Sequence, residues 1–494
     1  MGYNFQPVNR NQGFLLPVDM GDWLSRDHFV YFVIELVEQL DLSAFWSAYR
    51  ADGKGGAAYD PRAMVTLLAY AYCDGERSSR RIAEHCRTDI GYRLVMGGLT
   101  PDHTTISRFR DRHEKALADI FVPILHVCLE AGMGDVSLAA IDGSKFRCPA
   151  SLRANRKLPS IERELARITE EIEGELARIA TEILAASQRA DLDDDTLFDP
   201  PPPREPGTLP DIVGLPKKLH GKATRRARLA KAKELLDNEY RARCAGHDDR
   251  MAGRAATEAA TGKKIRGRKP APPQPDPDQK INVTDPDSRI MKDAHGSYLQ
   301  GYNAQNVVAK DRCNLAGEVV NDENDSAQLH PMIDHTRQNL TDAESARRVE
   351  LYLADSGYCN EASLAAINPD GPTVLLATQK EHKTRAEARR TPVNAGPPPD
   401  TLSRKEQMAW QLNTAAGKAT YAQRAATVEP GFAQHKHNRG MFRFLRAGLP
   451  AANSEWKLIN ATDNIGKLFR RVLSGKATAD WSTLGRVVSI SPAT

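Results

Sequence analysis

Three carboxylates stand where a folded sheet would expose them. Asp142 closes the apolar run VSLAAID (136–142), Asp355 closes VELYLAD (349–355), and Glu429 precedes Pro430 within YAQRAATVEPGFAQHK (421–436). Side chains at strand ends can converge on one edge of a sheet, and three converging carboxylates bind hard divalent cations through oxygen. Two such ions about 3.5–4 Å apart activate a water or hydroxyl and stabilise the leaving oxygen of a phosphodiester. That is nuclease or strand-transfer chemistry. Taken singly, each residue also has an ordinary structural reading: Asp142 and Asp355 as turn or cap residues, Glu429 as a complement to a helix dipole. The intervals between them, 213 and 74 residues, contain an insertion and loops, so spacing alone does not decide.

The elements that must position these residues can be read along the chain. From Leu24 to Trp46, Phe29, Val33, Leu36, Val37 and Leu40 recur at helical spacing behind Ser25, a candidate N-cap. Asp60-Pro61 opens a second helix that runs to Gly75, and further helices are expected from Ser78 to about Thr88 and from His103 to about Gly132. Residues 1–130 therefore read as all-helical. Beyond them, strand-like runs at 136–146, 298–309, 315–321, 349–358 and 372–379 alternate with helical stretches near 327–340 and 360–367, the pattern of an α/β sheet domain.

Between the first and second runs, Ile161, Leu165, Ile168, Ile172, Leu176, Ile179 and Ile183 form one apolar stripe. A stripe of this kind needs a partner, and a helix at about 222–245 is the candidate, reached through the acidic, proline-rich DLDDDTLFDPPPPREPG (191–207). A helical hairpin inserted in the sheet domain is expected, closed by the proline-rich segment 267–279. Residues 217–269 hold 17 Lys+Arg against 6 Asp+Glu, a basic arm that the overall charge of +4 conceals.

Seven cysteines at 73, 86, 128, 148, 244, 313 and 359 form no CxxC pair, so neither a disulfide framework nor a zinc knuckle is indicated. The histidines show no HxxxH or HExxH spacing. The start, MGYNFQPVNRNQGF, lacks the order of a signal peptide, and Gln6 breaks a myristoylation signal. No run reaches the roughly 20 apolar residues that span a bilayer. A soluble, cytoplasmic protein is expected.

Several separated motifs in one order carry a resemblance. AAIDGSKF, NVTDPDSRIMKDAHGSYLQGYNAQNVV (282–308), LADSGY and the stretch from YAQRAATVEPGFAQHK through NATDNIGKL resemble the DDE transposases of bacterial insertion sequences. YDPRAMVTLLAYAY and PDHTTISRFRDRH extend the likeness into the N-terminal helices, so that it covers about residues 10–470. Within these proteins the chain is most similar to the group numbered IS eleven-eighty-two, related to the IS four and IS five groups.

The resemblance implies a helical N-terminal domain that binds DNA ends (1–130) and a ribonuclease-H-like, retroviral-integrase-like α/β catalytic domain (131–470). The helical insertion (150–280) interrupts the second, and a tail follows (471–494). It implies that Asp142, Asp355 and Glu429 hold two Mg²⁺ ions, with Mn²⁺ able to substitute. A Tyr-Arg-Glu-Lys signature falls on Tyr421, Arg424, Glu429 and Lys436, with four residues between Arg424 and Glu429 where the IS four relatives have three. The partners it implies are double-stranded transposon-end and target DNA, bound by a homodimer, with no membrane. Beside a phosphate, Arg424 offers a planar fork, Lys436 a point charge and Tyr421 a stacking face. Pro430 disfavours an α conformation at Glu429, so a helix should start or kink there.

Other candidates are less specific. Arg108, Arg110 and Arg112 follow Thr104 or Thr105 as a possible cap, and could enter a DNA groove behind the 78–86 helix or form a solvated charged face. The basic arm suits phosphate or a solvated helix surface equally. Asp285, Asp287, Arg289 and His295 read as residues that order the site's edge or contact DNA, not as metal ligands. Two alternatives to a transposase stay open at this point, a Mg²⁺-dependent endonuclease of the same fold and a non-catalytic DNA-binding remnant.

Overall fold

The computed structural model describes residues 20–49, 57–190, 215–293, 296–379 and 393–475. The N-terminal MGYNFQ, the acidic turn 191–207, His295 and tail residues 476–494 lie outside the described residues. The chain divides into two compact units, one of residues 1–148 with 301–494 and one of residues 149–300.

The first unit begins with short helices whose ends follow local chemistry. The helix expected over 24–46 is two, α1 (Phe29–Glu38) and α2 (Ser43–Trp46). His28, rather than Ser25, caps α1 by accepting from Val30 N at 3.2 Å, and Asp41 accepts from Ser43 N at 2.8 Å ahead of α2. In α3 (Pro61–Cys73) Asp60 is the N-cap, accepting from Arg62 N at 2.7 Å, with Pro61 at a position where no amide hydrogen is needed. Next come α4 (Ser79–Thr88) and α5 (Ile90–Val95). The single helix expected from 103 to 132 is three: α6 (His103–Arg112), α7 (Glu114–Asp119) and α8 (Phe121–Glu130). Pro123 explains the second break, because its ring cannot sit over the carbonyl of residue 119 in a continuing helix. Asp102, not a threonine, caps α6, accepting from Thr104 N at 2.7 Å and Thr105 N at 2.9 Å.

The sheet starts with β1 (Ala139–Arg147). The second unit intervenes, holding β2 (Asn155–Lys157), α9 (Leu158–Ala190), α10 (His220–Thr261), β3 (Lys280–Asn282) and β4 (Arg289–Lys292). The first unit resumes along β5 (Tyr298–Ala309) and continues through β6 (Asn314–Val320), α11 (Leu329–Asp342), β7 (Leu351–Ala354), α12 (Glu361–Ala365) and β8 (Thr373–Leu376). It ends with α13 (Arg404–Leu412), α14 (Ala415–Tyr421), α15 (Gln423–Ala433), a π-helical turn over Gln434–Asn438, and α16 (Leu449–Leu473).

The strands of this unit lie in the order β6-β5-β1-β7-β8. β5 runs antiparallel to both β1 and β6, whereas β1, β7 and β8 are mutually parallel. β1 does not end at Asp142 as its sequence suggests. Its pairing with β5 continues from Ala139↔Ala309 to Arg147↔Gly301, so Asp142 sits mid-strand opposite Asn306. On its other side the register Ile141↔Ala354 sets Asp142 beside the residue that follows β7, Asp355.

α16 ties this unit together, packing on β6 and on α3, α7 and α8. Its Trp456 is fully buried, donates from Nε1 to Gln305 O at 2.9 Å, and rests on Phe146 and Phe432 with ring centroids 5.3 and 6.0 Å away. Truncating a buried aromatic of this kind costs about 3–5 kcal/mol. Trp456→Ala is therefore expected to lower the unfolding free energy of full-length protein, measured by denaturant titration, by that amount, with the Gln305 carbonyl losing its donor as well; a value within about 1 kcal/mol of wild type, the scale of an ordinary substitution, would contradict this packing.

In the second unit the long stripe meets its partner. Ile161, Ile168 and Ile172 of α9 bury against Leu229, Ala232 and Leu236 of α10 and against Leu219 just before it. Ion pairs fix the helices as antiparallel: Lys218–Glu175, Lys222–Glu171 at 2.8 Å, Arg225–Glu164 and Lys233–Glu162 at 2.9 Å. Cover fails toward the end of α9, where Ile183 is exposed. Four cations of the basic arm are thus already matched to glutamates. Arg289 of β4 likewise pairs with Glu239 and donates to the carbonyls of Pro286, Asp287 and Ser288, so within this unit it serves the local fold.

Candidate active site

Asp142, Ser144 and Phe146 alternate along one face of β1, and α15 with its π-helical extension packs on that strand. Each meets a signature residue. Asp142 Oδ2 lies 3.4 Å from Arg424 Nη1, Ser144 Oγ accepts from Lys436 Nζ at 2.6 Å, and that ammonium also stands 4.8 Å from the Phe146 ring centre. Arg424 Nη2 is 3.6 Å from Glu429 Oε1, so one buried guanidinium bridges the first and third carboxylates. Tyr421, at the end of α14, donates its hydroxyl to Ala354 O at 3.2 Å, beside Asp355. Asp355 Oδ1 accepts from Gly357 N at 2.8 Å.

The local conformation of the signature differs from its sequence reading. α15 starts at Gln423 and runs through Glu429 and Pro430 without a break, so Glu429 is an interior helical residue rather than a first-turn one. Pro430 removes one helical hydrogen bond, that to the carbonyl of residue 426. The helix then widens to a π turn over 434–438, a change frequent at functional sites. Lys436 is thereby aimed at Ser144 on β1, while Glu429 stays half exposed at the helix surface.

Burial makes Asp142 a perturbed acid. Burial, seconded by the charges of Asp355 and Asp325 and opposed by Arg424, pushes its carboxyl up to about 7. Tyr358, buried behind the site, is raised well above an ordinary phenol by burial and by the charges of Asp325, Asp142 and Asp355.

Asp325 has no counterpart in the sequence reading. It lies in the loop after β6, within NDENDS, where acidic residues and asparagines read as a solvated turn. Its Oδ1 accepts from Asn303 Nδ2 at 2.8 Å and Gln305 Nε2 at 2.6 Å, both on β5. Gln305 Oε1 in turn accepts from Tyr358 OH. Gly143 makes room for this arrangement, since a Cβ there would collide with Gln305 Nε2 and Asp325 Oδ1.

The N-terminal arginines are placed elsewhere. Arg110 is buried and donates to Tyr72 OH at 3.2 Å, Arg77 O at 2.8 Å and Ser79 Oγ, so it braces α3, α4 and α6 and is not a surface contact as expected from its sequence. Arg108 is exposed. With Arg112, Thr105, Tyr49, Tyr59 and Phe109 it lines a cavity of about 260 Å³. Asp285 is buried in the second unit and Asp287 belongs to it as well.

Two family profiles match the chain. A transposase domain (DUF772) matches residues 18–112, and a transposase DDE domain matches residues 380–469. No curated protein and no solved structure matches. The two matches, both to transposase domains, support a DDE-type insertion-sequence transposase. Its function is accordingly that of a DNA transposase, an enzyme acting on DNA in transposition. The DDE match contains Tyr421, Arg424, Glu429 and Lys436; Asp142 and Asp355 lie outside both matches.

The family uses divalent metal ions. Among the described residues no three carboxylate, imidazole or thiol groups stand close enough to hold one ion together, and the Arg424 guanidinium lies between Asp142 and Glu429. The donor chemistry nevertheless fits such an ion. Carboxylate oxygens are the ligands that hard cations take, and Asp142 is a buried acid crowded by two further acids, which a nearby divalent charge would favour in its ionised form. Among the described residues no helix is long and apolar enough to cross a membrane.

Proposed function

We propose that this transposase binds the terminal inverted repeats of its element and cuts and joins DNA at a ribonuclease-H-like site formed by Asp142, Asp355 and Glu429. One observation carries the reading: the β1–β7 register sets Asp142 beside Asp355, and Arg424 links Asp142 to Glu429. The strand order supports it, with three antiparallel strands followed by two parallel ones and the first strand central, the arrangement expected of a ribonuclease-H-like domain.

Asp142, Asp355 and Glu429 would hold Mg²⁺, or Mn²⁺ in its place, which when bound supplies an activated water or hydroxyl and neutralises charge at the phosphate. Hydrolysis of the transposon strand leaves a 3′-hydroxyl, whose attack on a target phosphodiester forms the new bond and releases a target 3′-hydroxyl. Within this chain, Tyr421 steadies the end of β7 and so Asp355, and Lys436 keeps a positive charge along β1. Arg424 offsets the carboxylates until a cation or phosphate shares them. Arg108, exposed on α6, remains available to backbone phosphate. Joining two ends calls for a homodimer.

The test uses full-length protein, labelled end DNA and a target plasmid. Wild type is expected to nick with Mg²⁺ and to join ends to the plasmid, while Asp355→Ala and Glu429→Gln lose roughly 10³-fold or more in nicking and still shift end DNA in a gel. Nicking without joining would instead indicate an endonuclease, and binding without any nicking a non-catalytic remnant. Wild-type nicking by either variant would remove that carboxylate from the assignment.

A further inference from the structure

Asp325 is a negative charge lodged against the proposed site without belonging to the three-carboxylate set, and its surroundings are built for it. Asn303 and Gln305, both essentially buried on β5, aim their amide donors at the same oxygen, Oδ1. Two glycines leave it space. A Cβ on Gly143, next to Asp142, would overlap Asp325 Oδ1, and one on Gly357 would stand 3.3 Å from Asp325 Oδ2 and 3.0 Å from Asp355 Oδ1. Asp325 Oδ2 and Asp355 Oδ1 therefore face a common point, and among the described residues Oδ2 accepts no hydrogen bond. The Gln305 amide that donates to Asp325 also receives the Tyr358 hydroxyl, and Tyr358 closes the turn that starts at Asp355. The chain from Asp325 through Gln305 to Tyr358 thus fixes the far end of the segment Asp355-Ser356-Gly357-Tyr358, whose near end follows β7 and accepts at Asp355 O from Tyr358 N.

We infer that Asp325 is a positioning residue for Asp355: with Asn303 and Gln305 it holds the 355–358 turn so that the Asp355 carboxylate points along β7 toward Asp142. The inference rests on the reading of Asp142 and Asp355 as cation ligands. Groups behind metal ligands that fix their direction cost roughly 10–100-fold in metal affinity when removed. Loss of Asp325 should act in the same way, through Asp355 and not through the substrate. Asp325→Asn keeps the shape and one acceptor oxygen but removes the charge. It also lets an amide donor face Asn303 or Gln305, so it should weaken the chain only in part.

Calorimetric titration of full-length protein with Mn²⁺ or Mg²⁺, without DNA, tests this directly. Wild type is expected to bind, Asp142→Ala to lose binding, Asp325→Ala to bind about 10–100-fold more weakly, and Asp325→Asn to fall between. End-DNA affinity should be unchanged in both Asp325 variants, which a general loss of fold would not allow. If Asp325→Asn melts with wild type and both variants bind the cation within threefold of wild type, the positioning role is overturned while the reading of the site stands. If wild type itself takes up no cation, or Asp142→Ala binds as wild type does, the underlying site assignment falls instead.

Discussion

In buffer free of divalent cations, Asp142→Asn is expected to be more stable than wild type at pH 8 and to have lost Mg²⁺-dependent nicking. The stability argument follows from burial. In the unfolded chain this carboxyl ionises near 3.8, whereas in the folded protein burial, with Asp355 and Asp325 nearby, raises it to about 7 despite Arg424. A raised acid favours the folded state only while protonated. Its contribution is complete below the unfolded value, declines as pH rises from about 4, and is gone above about 7. A difference of three units corresponds to about 4 kcal/mol. Asparagine has the same shape and no charge to desolvate, but it deprives Arg424 of an ionic partner, so a net gain of about 1–3 kcal/mol is expected above pH 7.

Thermal melts of both proteins across pH 4–8 measure this effect. The two curves should approach each other at the acid end and diverge toward pH 8. Parallel curves would show that Asp142 ionises normally and that its surroundings are not as described. Nicking should be abolished whatever the melting behaviour, since the amide cannot serve as an anionic ligand. The two outcomes together would be the trade between stability and function that active sites display.

The sequence already carries much of the fold. The Asp60-Pro61 start of α3, the apolar runs of β5 and β6 and the stripe of α9 all rest on local signals, a cap, an alternation or a repeat, and these survive folding. Other features depend on partners that no local pattern reveals. Asp142-Gly143 looks like the end of a strand, yet β1 continues because twelve-residue β5 offers it a long antiparallel edge. Pro430 looks like a helix start, yet packing on β1 carries α15 through it. Asp325 was illegible for the same reason: its donors lie on a strand some 20 residues earlier, and the turn it braces lies some 30 residues later.

The arginines of α6 were legible in part. Positions 108 and 112 are four apart and share a helix face, whereas 110 must point away from them. Three arginines at alternate positions therefore cannot form one DNA-facing row on a helix. The structure bears out this geometry, with Arg108 and Arg112 exposed and Arg110 enclosed among Tyr72, Arg77 and Ser79.

Arg424→Ala should produce the largest loss of stability of any single change at the site, and a loss that divalent cations reverse. The guanidinium is 5% exposed and sits between Asp142 and Glu429. Removing one member of a buried ion pair leaves the other charge without compensation, at a cost of about 3–5 kcal/mol. Most of that cost belongs to Asp142, because Glu429 is half exposed and water can screen it. Protonation of Asp142 offers one escape: without Arg424 its carboxyl is raised further, so the deficit should shrink as pH falls toward about 7 and be small below it, where the acid is largely neutral even beside Arg424. A bound cation offers the other. At concentrations around 100 times the dissociation constant, binding to the folded state alone returns about 2.7 kcal/mol, and in the variant the cation would also replace the missing positive charge. Mg²⁺ should consequently raise the melting temperature of Arg424→Ala more than that of wild type, with Arg424→Lys between them because an ammonium keeps the charge without the two-pronged reach. Equal Mg²⁺ shifts in wild type and Arg424→Ala would mean that the guanidinium and the cation do not share the same carboxylates.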